Sequence, residues 1–217
     1  MSAIVVGPGF RIPRWVRDLK SFRRWARSPE FPDQGWFSYL GGELWVEPVM
    51  EKLVHNRIKT VIVAILTLLA DEDRIGFFCS DRMRLTNLEV DLSTEPDGMH
   101  VLHAAMDAGE VRLVEGDQAA EVLGTLGMVF EVVSTSSVRK DTDILPLLYW
   151  QAGVSEYWIV DSRAEMPELQ ILRRGRSKLT PVRAVDGWVK SDVFGKSFRL
   201  VRLPARHGVS DFRLEVR

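Results

Sequence analysis

The stretch Met128-Val129-Phe130-Glu131-Val132-Val133 constrains the fold of this chain more than any other. Leu126 to Val133 is an apolar run of strand length. A strand without polar alternation is covered on both faces, so it belongs in the middle of a sheet with layers above and below. The residues after it agree with that placement. Pro146 is tolerated only in a first helical turn, where its missing N–H goes unmissed. A helix therefore starts with Asp141, Thr142 or Asp143 as N-cap and runs to about Ala152, where Gly153 ends it. Glu156 to Val160 is the next strand. The pattern is α/β, with a mixed central sheet flanked by helices.

Upstream, Trp36 to Leu40 and Glu43 to Glu47 read as a hairpin turning at Gly41-Gly42. From Glu51 to Ala70 the apolar positions Val54, Ile58, Val61, Ile62, Ile65, Leu68 and Leu69 follow a 3.6-residue period and predict one long helix, buried along a sheet. Gly76 to Ser80, Arg82 to Val90 and Pro96 to Leu102 look like strands. Ala104 to Thr125 is mixed and acidic, read as a short helix and a loop. From Met166 onward, alternation and turn residues predict short antiparallel strands and no long helix. A length of 217 residues favours one domain, organised as an N-terminal helical arm (1–34), a core (35–165) and a β-rich tail (166–217).

The arm carries Arg11, Arg14, Arg17, Lys20, Arg23, Arg24 and Arg27 against Asp18 alone. Trp15, Leu19, Phe22 and Ala26 recur at helical spacing, which predicts an amphipathic helix, with Pro13 at its start and Arg17, Lys20, Arg24 and Arg27 on its cationic side. That side is either a solvated face or a phosphate-contact surface. Over the whole chain, 29 Lys+Arg against 30 Asp+Glu exclude a uniformly cationic coat. The single cysteine, Cys79, has no intrachain partner and fits a reducing cytoplasm. No apolar run approaches the roughly 18–20 residues that cross a bilayer, and no basic region precedes the apolar N-terminus, so neither a membrane span nor a signal peptide is expected. Seven tryptophans imply extensive aromatic packing, extending to a subunit interface.

Asp97 and Glu131 are the leading candidates for chemistry. An ionised carboxylate within so apolar a strand as that of Glu131 is costly unless something pairs with it. Two acids on neighbouring strands facing one pocket would offer hard oxygen ligands for Mg²⁺ or Mn²⁺; a buried glutamate satisfied by arginine or backbone N–H groups is the structural alternative. Glu43 and Glu47 share a strand face, and either could add a third carboxylate. His55 reads by itself as a helix-face or capping histidine. His100 and His103 point to opposite faces of a strand and are set aside as a metal pair. Gly7-Pro8-Gly9 lacks the remainder of a P-loop, and no Gly-x-Ser-x-Gly elbow surrounds Ser134 to Ser137.

The run Tyr149-Trp150-Gln151-Ala152-Gly153-Val154-Ser155-Glu156-Tyr157-Trp158-Ile159-Val160-Asp161, together with Phe130-Glu131-Val132-Val133-Ser134 and Pro96-Asp97, resembles the Uma-type putative restriction endonucleases of the PD-(D/E)XK nuclease superfamily. Gly42-Glu43-Leu44 and His55 also sit where that family has them. The resemblance covers about residues 35–172. It implies a restriction-endonuclease-like core, metal acids at Asp97 and Glu131 with Glu43 as accessory acid, and water attack on a phosphodiester of DNA assisted by Mg²⁺ or Mn²⁺. It further implies a homodimer.

The resemblance breaks at the superfamily's lysine. The position two residues after the acid is Val133, and the slot of the family's Asp-x-x-x-Lys-x-x-x-Tyr pattern, which Asp141 and Tyr149 match, is Leu145. Lys140 or Arg139 could supply the missing charge from the loop, and Leu145→Lys would return it directly. Gly98 also departs from the branched apolar residue usual there. Two readings result: a metal-dependent endonuclease, impaired by the lost lysine unless Lys140 replaces it, and a catalytically silent nuclease-fold module that binds nucleic acid or a partner. A hydrolase of smaller phosphate esters is a third.

Overall fold

The computed structural model describes residues 3–6, 10–47 and 51–217; Gly7-Pro8-Gly9 lies outside them. A ribbon of β1 (Ala3–Val6) and β2 (Phe10–Pro13) leads to helix α1 (Leu19–Ala26), then to the hairpin of β3 (Trp36–Leu40) and β4 (Glu43–Glu47). Helix α2 (Leu53–Asp73) is followed by β5 (Gly76–Ser80), β6 (Arg84–Asn87), β7 (Leu92–Thr94) and β8 (Gly98–Leu102). The short helix α3 (His103–Asp107), β9 (Val111–Val114), β10 (Glu121–Gly124) and β11 (Met128–Val133) come next. A π-helical turn, Lys140–Ile144, runs into α4 (Leu145–Gln151). Strands β12 (Glu156–Asp161), β13 (Leu169–Arg174), β14 (Leu179–Pro181), β15 (Val189–Lys190), β16 (Ser197–Arg206) and β17 (Val209–Val216) complete the chain.

The architecture is mixed α/β. One six-stranded sheet has the order β4-β3-β7-β6-β10-β9, a second the order β14-β13-β12-β11-β8-β5, and β15-β16-β17 form a third, smaller sheet. In the second sheet β11 lies parallel to β12 and antiparallel to β8. Its alternation divides the interior. Val129 and Val133 enter one core with Leu145, Leu148 and Tyr149 of the α4 segment, whereas Met128, Phe130 and Val132 enter another with Ile58, Ile62 and Leu66 of α2. The unalternating apolar run is thus a doubly covered interior strand. Helix α2 is long and apolar enough by length and composition to cross a membrane. Here its buried residues pack against β5, β11 and β17.

Several local expectations are corrected. Residues 104–125 hold, besides α3, the strands β9 and β10, which pair antiparallel and bury Val111, Val122 and Leu123 within an otherwise polar stretch. Pro13 ends a strand and does not begin a helix. Helix α1 starts at Asp18, whose carboxylate accepts the Ser21 N–H at 2.7 Å while the Ser21 hydroxyl accepts the Asp18 N–H at 3.0 Å. The strand expected from Arg82 to Val90 is shorter, and β7 is an additional strand. At the hairpin tip, Gly41 and Gly42 have φ of +55° and +93°, the left-handed pair a two-residue turn requires. Gly98 is explained by packing: a Cβ there would lie 2.6 Å from the Phe78 ring.

His100 on β8 is fully buried and stacks on Phe194 at 5.0 Å, and neither ring nitrogen has a hydrogen-bond partner among the described residues. Burial pushes its pKa down to about 4. The unfolded chain therefore binds a proton near pH 6.5 that the folded chain refuses until about pH 4. Stability is lost as pH falls through that window, by about 3 kcal/mol in full. Urea unfolding of wild type and His100→Phe at pH 7 and pH 4.5 should show a smaller acid loss in the variant; equal losses would place the acid sensitivity elsewhere.

Candidate functional site

Glu131 and Asp97 meet because β11 and β8 are neighbours. The Asp97 Oδ2 atom accepts the Val132 N–H at 2.7 Å, and Glu131 Oε2 accepts the Asp97 N–H at 3.3 Å. Each acid is thereby held by the other's strand. The pair lines a cleft of about 630 Å³ with Trp36, Glu47, Glu51, His55 and Lys140 among its walls. The side chain of Tyr149, from α4, donates to Glu131 Oε1 at 3.1 Å.

Helix α2 supplies one flank. His55 Nε2 bonds the Val132 carbonyl at 2.7 Å, which directs Nδ1 toward Glu51 Oε2 at 3.5 Å. Lys59, one turn on, places Nζ 3.5 Å from Asp97 Oδ1 and 3.0 Å from Asp81 Oδ1, and also pairs with Glu51. The other flank is the π-helical turn, in which the Leu145 N–H donates to the Lys140 carbonyl. Such turns are rare and concentrate at functional sites. This one carries Lys140, whose Nζ donates to Glu47 Oε2 at 2.6 Å and lies 3.6 Å from Asp141 Oδ1. Two buried lysines therefore flank the Asp97–Glu131 pair, each threaded among carboxylates.

The electrostatics follow from burial. Burial pushes the Glu131 carboxyl well above its ordinary range against the pull of Lys140, with Asp141 and Asp97 adding to the rise. Burial raises Asp97 as well, opposed by Lys59 and His55. Asp141 is pushed by burial up to about 7. Glu51, beside His55 and hydrogen-bonded to Lys59, is held down at about 2. Burial works against charge on His55, Lys59 and Lys140, yet their acid neighbours raise all three.

A divalent cation fits this donor set. Glu51, His55 and Asp97 offer ligand atoms within 4.8 Å of one another. His55 Nδ1 and Asp141 Oδ1 are both buried without a hydrogen-bond partner among the described residues. A cation would satisfy such atoms and relieve the clustered negative charge.

Of the residues singled out in the sequence, Asp97, Glu131 and Lys140 line the cleft. Glu43 does not: it is exposed at the hairpin end of β4, and Glu47, at the other end of that strand, takes the position in the cleft. Arg139 is exposed and stacks over Trp45 at 5.3 Å. Leu145 is fully buried in the same apolar core as Val133 and is not part of the cleft wall. Both lysine slots are thus core positions. Asp141 is buried in the cleft wall and does not serve as the N-cap. Sequence reasoning missed Lys59, and the signal was available. His55 and Lys59 on the apolar helix, with Glu51 just ahead of its first turn, recur every four residues and place three ionisable groups on one side.

None of the curated proteins matches this chain. A crystal structure of a putative nuclease belonging to DUF820, from Anabaena variabilis, is similar in fold, with TM-score 0.60 and 19% identity over 82% of this chain and 90% of that one. The family model described as "Putative restriction endonuclease" matches residues 19–203, and by that match the chain belongs to the Uma2 family.

Proposed function

We propose that the chain is a divalent-metal-dependent phosphodiesterase of nuclease type acting on DNA, with Asp97 and Glu131 as its principal acids and Lys140 supplying the positive charge for which the family motif has a lysine and this chain has Leu145. The observation that carries this reading is the mutual clamp of Asp97 and Glu131 between two buried lysines at one cleft. Asp97 and Glu131 would hold Mg²⁺ or Mn²⁺, with Glu51 and His55 Nδ1 beside them. A metal bound there supplies Lewis acidity toward a phosphoryl oxygen and acidifies a water.

The chain's own groups do the remaining work. Tyr149 fixes the rotamer of Glu131 by its hydrogen bond. Lys140 sets a positive charge beside Glu131, where it would stabilise charge developing on a phosphate. Ser134 and Ser137 are bound reciprocally, each N–H to the other's hydroxyl, which rigidifies the loop. The exposed Thr135 and Ser136 on that loop line the cleft and can donate to phosphate oxygens. The silent-module reading draws on the engagement of both lysines by carboxylates.

Plasmid nicking in Mn²⁺ or Mg²⁺ separates the two readings. Glu131→Gln and Asp97→Asn should each lower the rate by at least about 10²-fold. Mn²⁺ should raise the melting temperature of the wild type, because a ligand that binds only the folded chain stabilises it, and Asp97→Ala should abolish the shift. Absence of nicking in a wild type whose melting temperature responds to Mn²⁺ would favour the silent module.

A further inference from the structure

A second cleft, of about 310 Å³, adjoins the first, and Glu95 lines both. Its charges sort into two groups. On one side, Arg23 grips Glu121 with two hydrogen bonds, at 2.6 and 2.8 Å, and Arg84 pairs with Glu95 while donating to the Phe37 carbonyl at 3.1 Å. Within each pair the charges cancel. Arg27 and Arg82 remain against one further acid of the lining, Asp33, which leaves the cleft with one net positive charge. Arg27 is exposed and bonds only the Arg23 carbonyl, at 3.3 Å, among the described residues. Arg82 is half exposed, donates to the carbonyls of Asp33 and Gly35, and among the described residues comes no closer to a carboxylate than 3.9 Å, at Glu95.

Arg82 is also placed relative to the first cleft. Its guanidinium lies 4.3 Å from the ring centre of Trp36, a residue of the first cleft's wall. Its turn holds two consecutive non-glycine residues at positive φ, Asp81 at +31° and Arg82 at +63°. Such strain persists only where the surroundings over-determine it, and here Asp81 is tied to Lys59 at 3.0 Å. From Arg27 the cationic face of α1 continues through the exposed Arg24, Lys20 and Arg17.

We propose that this second cleft is a phosphodiester subsite, in which Arg27 and Arg82 hold the backbone of a DNA strand a short distance from the bond lying in the first cleft, with the face of α1 extending the path. Guanidinium groups match phosphate oxygens in charge and in fork geometry. The inference rests on the nuclease reading of the first cleft and adds where the substrate leaves it.

Fluorescence anisotropy with a short fluorescein-labelled duplex tests it, in the absence of divalent ions so that turnover plays no part. The logarithm of wild-type affinity should fall linearly with the logarithm of KCl concentration, with a slope of about 0.9 per phosphate contact. Arg27→Gln with Arg82→Gln should flatten that slope by roughly two. Arg27→Gln alone, at an exposed position whose side chain bonds only the Arg23 carbonyl among the described residues, should flatten it by about one. Arg213→Gln, an exposed charge on β17, should leave it unchanged. A slope unaltered in both arginine variants, or no wild-type binding at the lowest salt, overturns the subsite. If nicking still depends on Glu131 in that case, the nuclease reading survives it. Salt-steep binding that the arginine variants lose, without any divalent-dependent nicking, supports the subsite and overturns the nuclease reading.

Discussion

Lys140→Met is expected to cut divalent-dependent nicking by roughly 10²–10³-fold, the usual consequence of removing one fixed charge from a reacting oxyanion. It should also destabilise the fold. Glu47, Asp141 and Glu131 all draw on this ammonium group, and deleting one partner of a buried ionic cluster costs about 3–5 kcal/mol. Rates are therefore to be compared below the variant's melting temperature. Lys59→Met makes a contrasting control. Its Nζ stands 3.5 Å from Asp97 Oδ1 and competes there with an added cation, so its removal should lower the Mn²⁺ concentration needed for half-maximal thermal shift. Undiminished nicking by Lys140→Met would move the catalytic charge elsewhere, with Lys59 the first alternative.

The second large effect concerns Leu145. In sequence terms Leu145→Lys restores a missing family cation. In the structure that side chain is fully buried among Val133, Leu148 and Tyr149. The substitution removes a packed leucine and buries a charge without an acid contact, so a loss of about 3 kcal/mol or more is expected. For a chain of this size that corresponds to a melting temperature lower by roughly 10 °C, with no gain in nicking. A variant that melts like the wild type and nicks faster would show that the position reaches the cleft after all.

The elements legible in the chain alone are those whose residues report their own environment. Leu126–Val133 carries no polar alternation, and only an interior strand tolerates that. The 3.6-residue period of α2 and the Gly41-Gly42 turn are equally local signals. The family motifs were legible for the same reason, since Pro96-Asp97, Phe130–Ser134 and Tyr149–Asp161 are contiguous. Asp97 and Glu131 could be proposed from them, because an acid within an apolar strand is costly unless it is used or paired.

Which charges meet was set by the folded arrangement and by nothing local. Lys59 and Asp97 are 38 positions apart in the chain, and Lys140 and Glu47 are 93 apart; no local pattern encodes either distance. Glu43 and Glu47 are equivalent by strand alternation, and position along β4 alone separates the exposed one from the one in the cleft. Leu145 and Lys140 are a turn and a half apart by sequence. The π-helical turn between them swings Lys140 into the acids and leaves Leu145 in the core. Strand period and helix period are properties of the backbone and can be read residue by residue. The pairing of ionisable side chains depends on which surfaces are brought together out of water, and that is settled by packing.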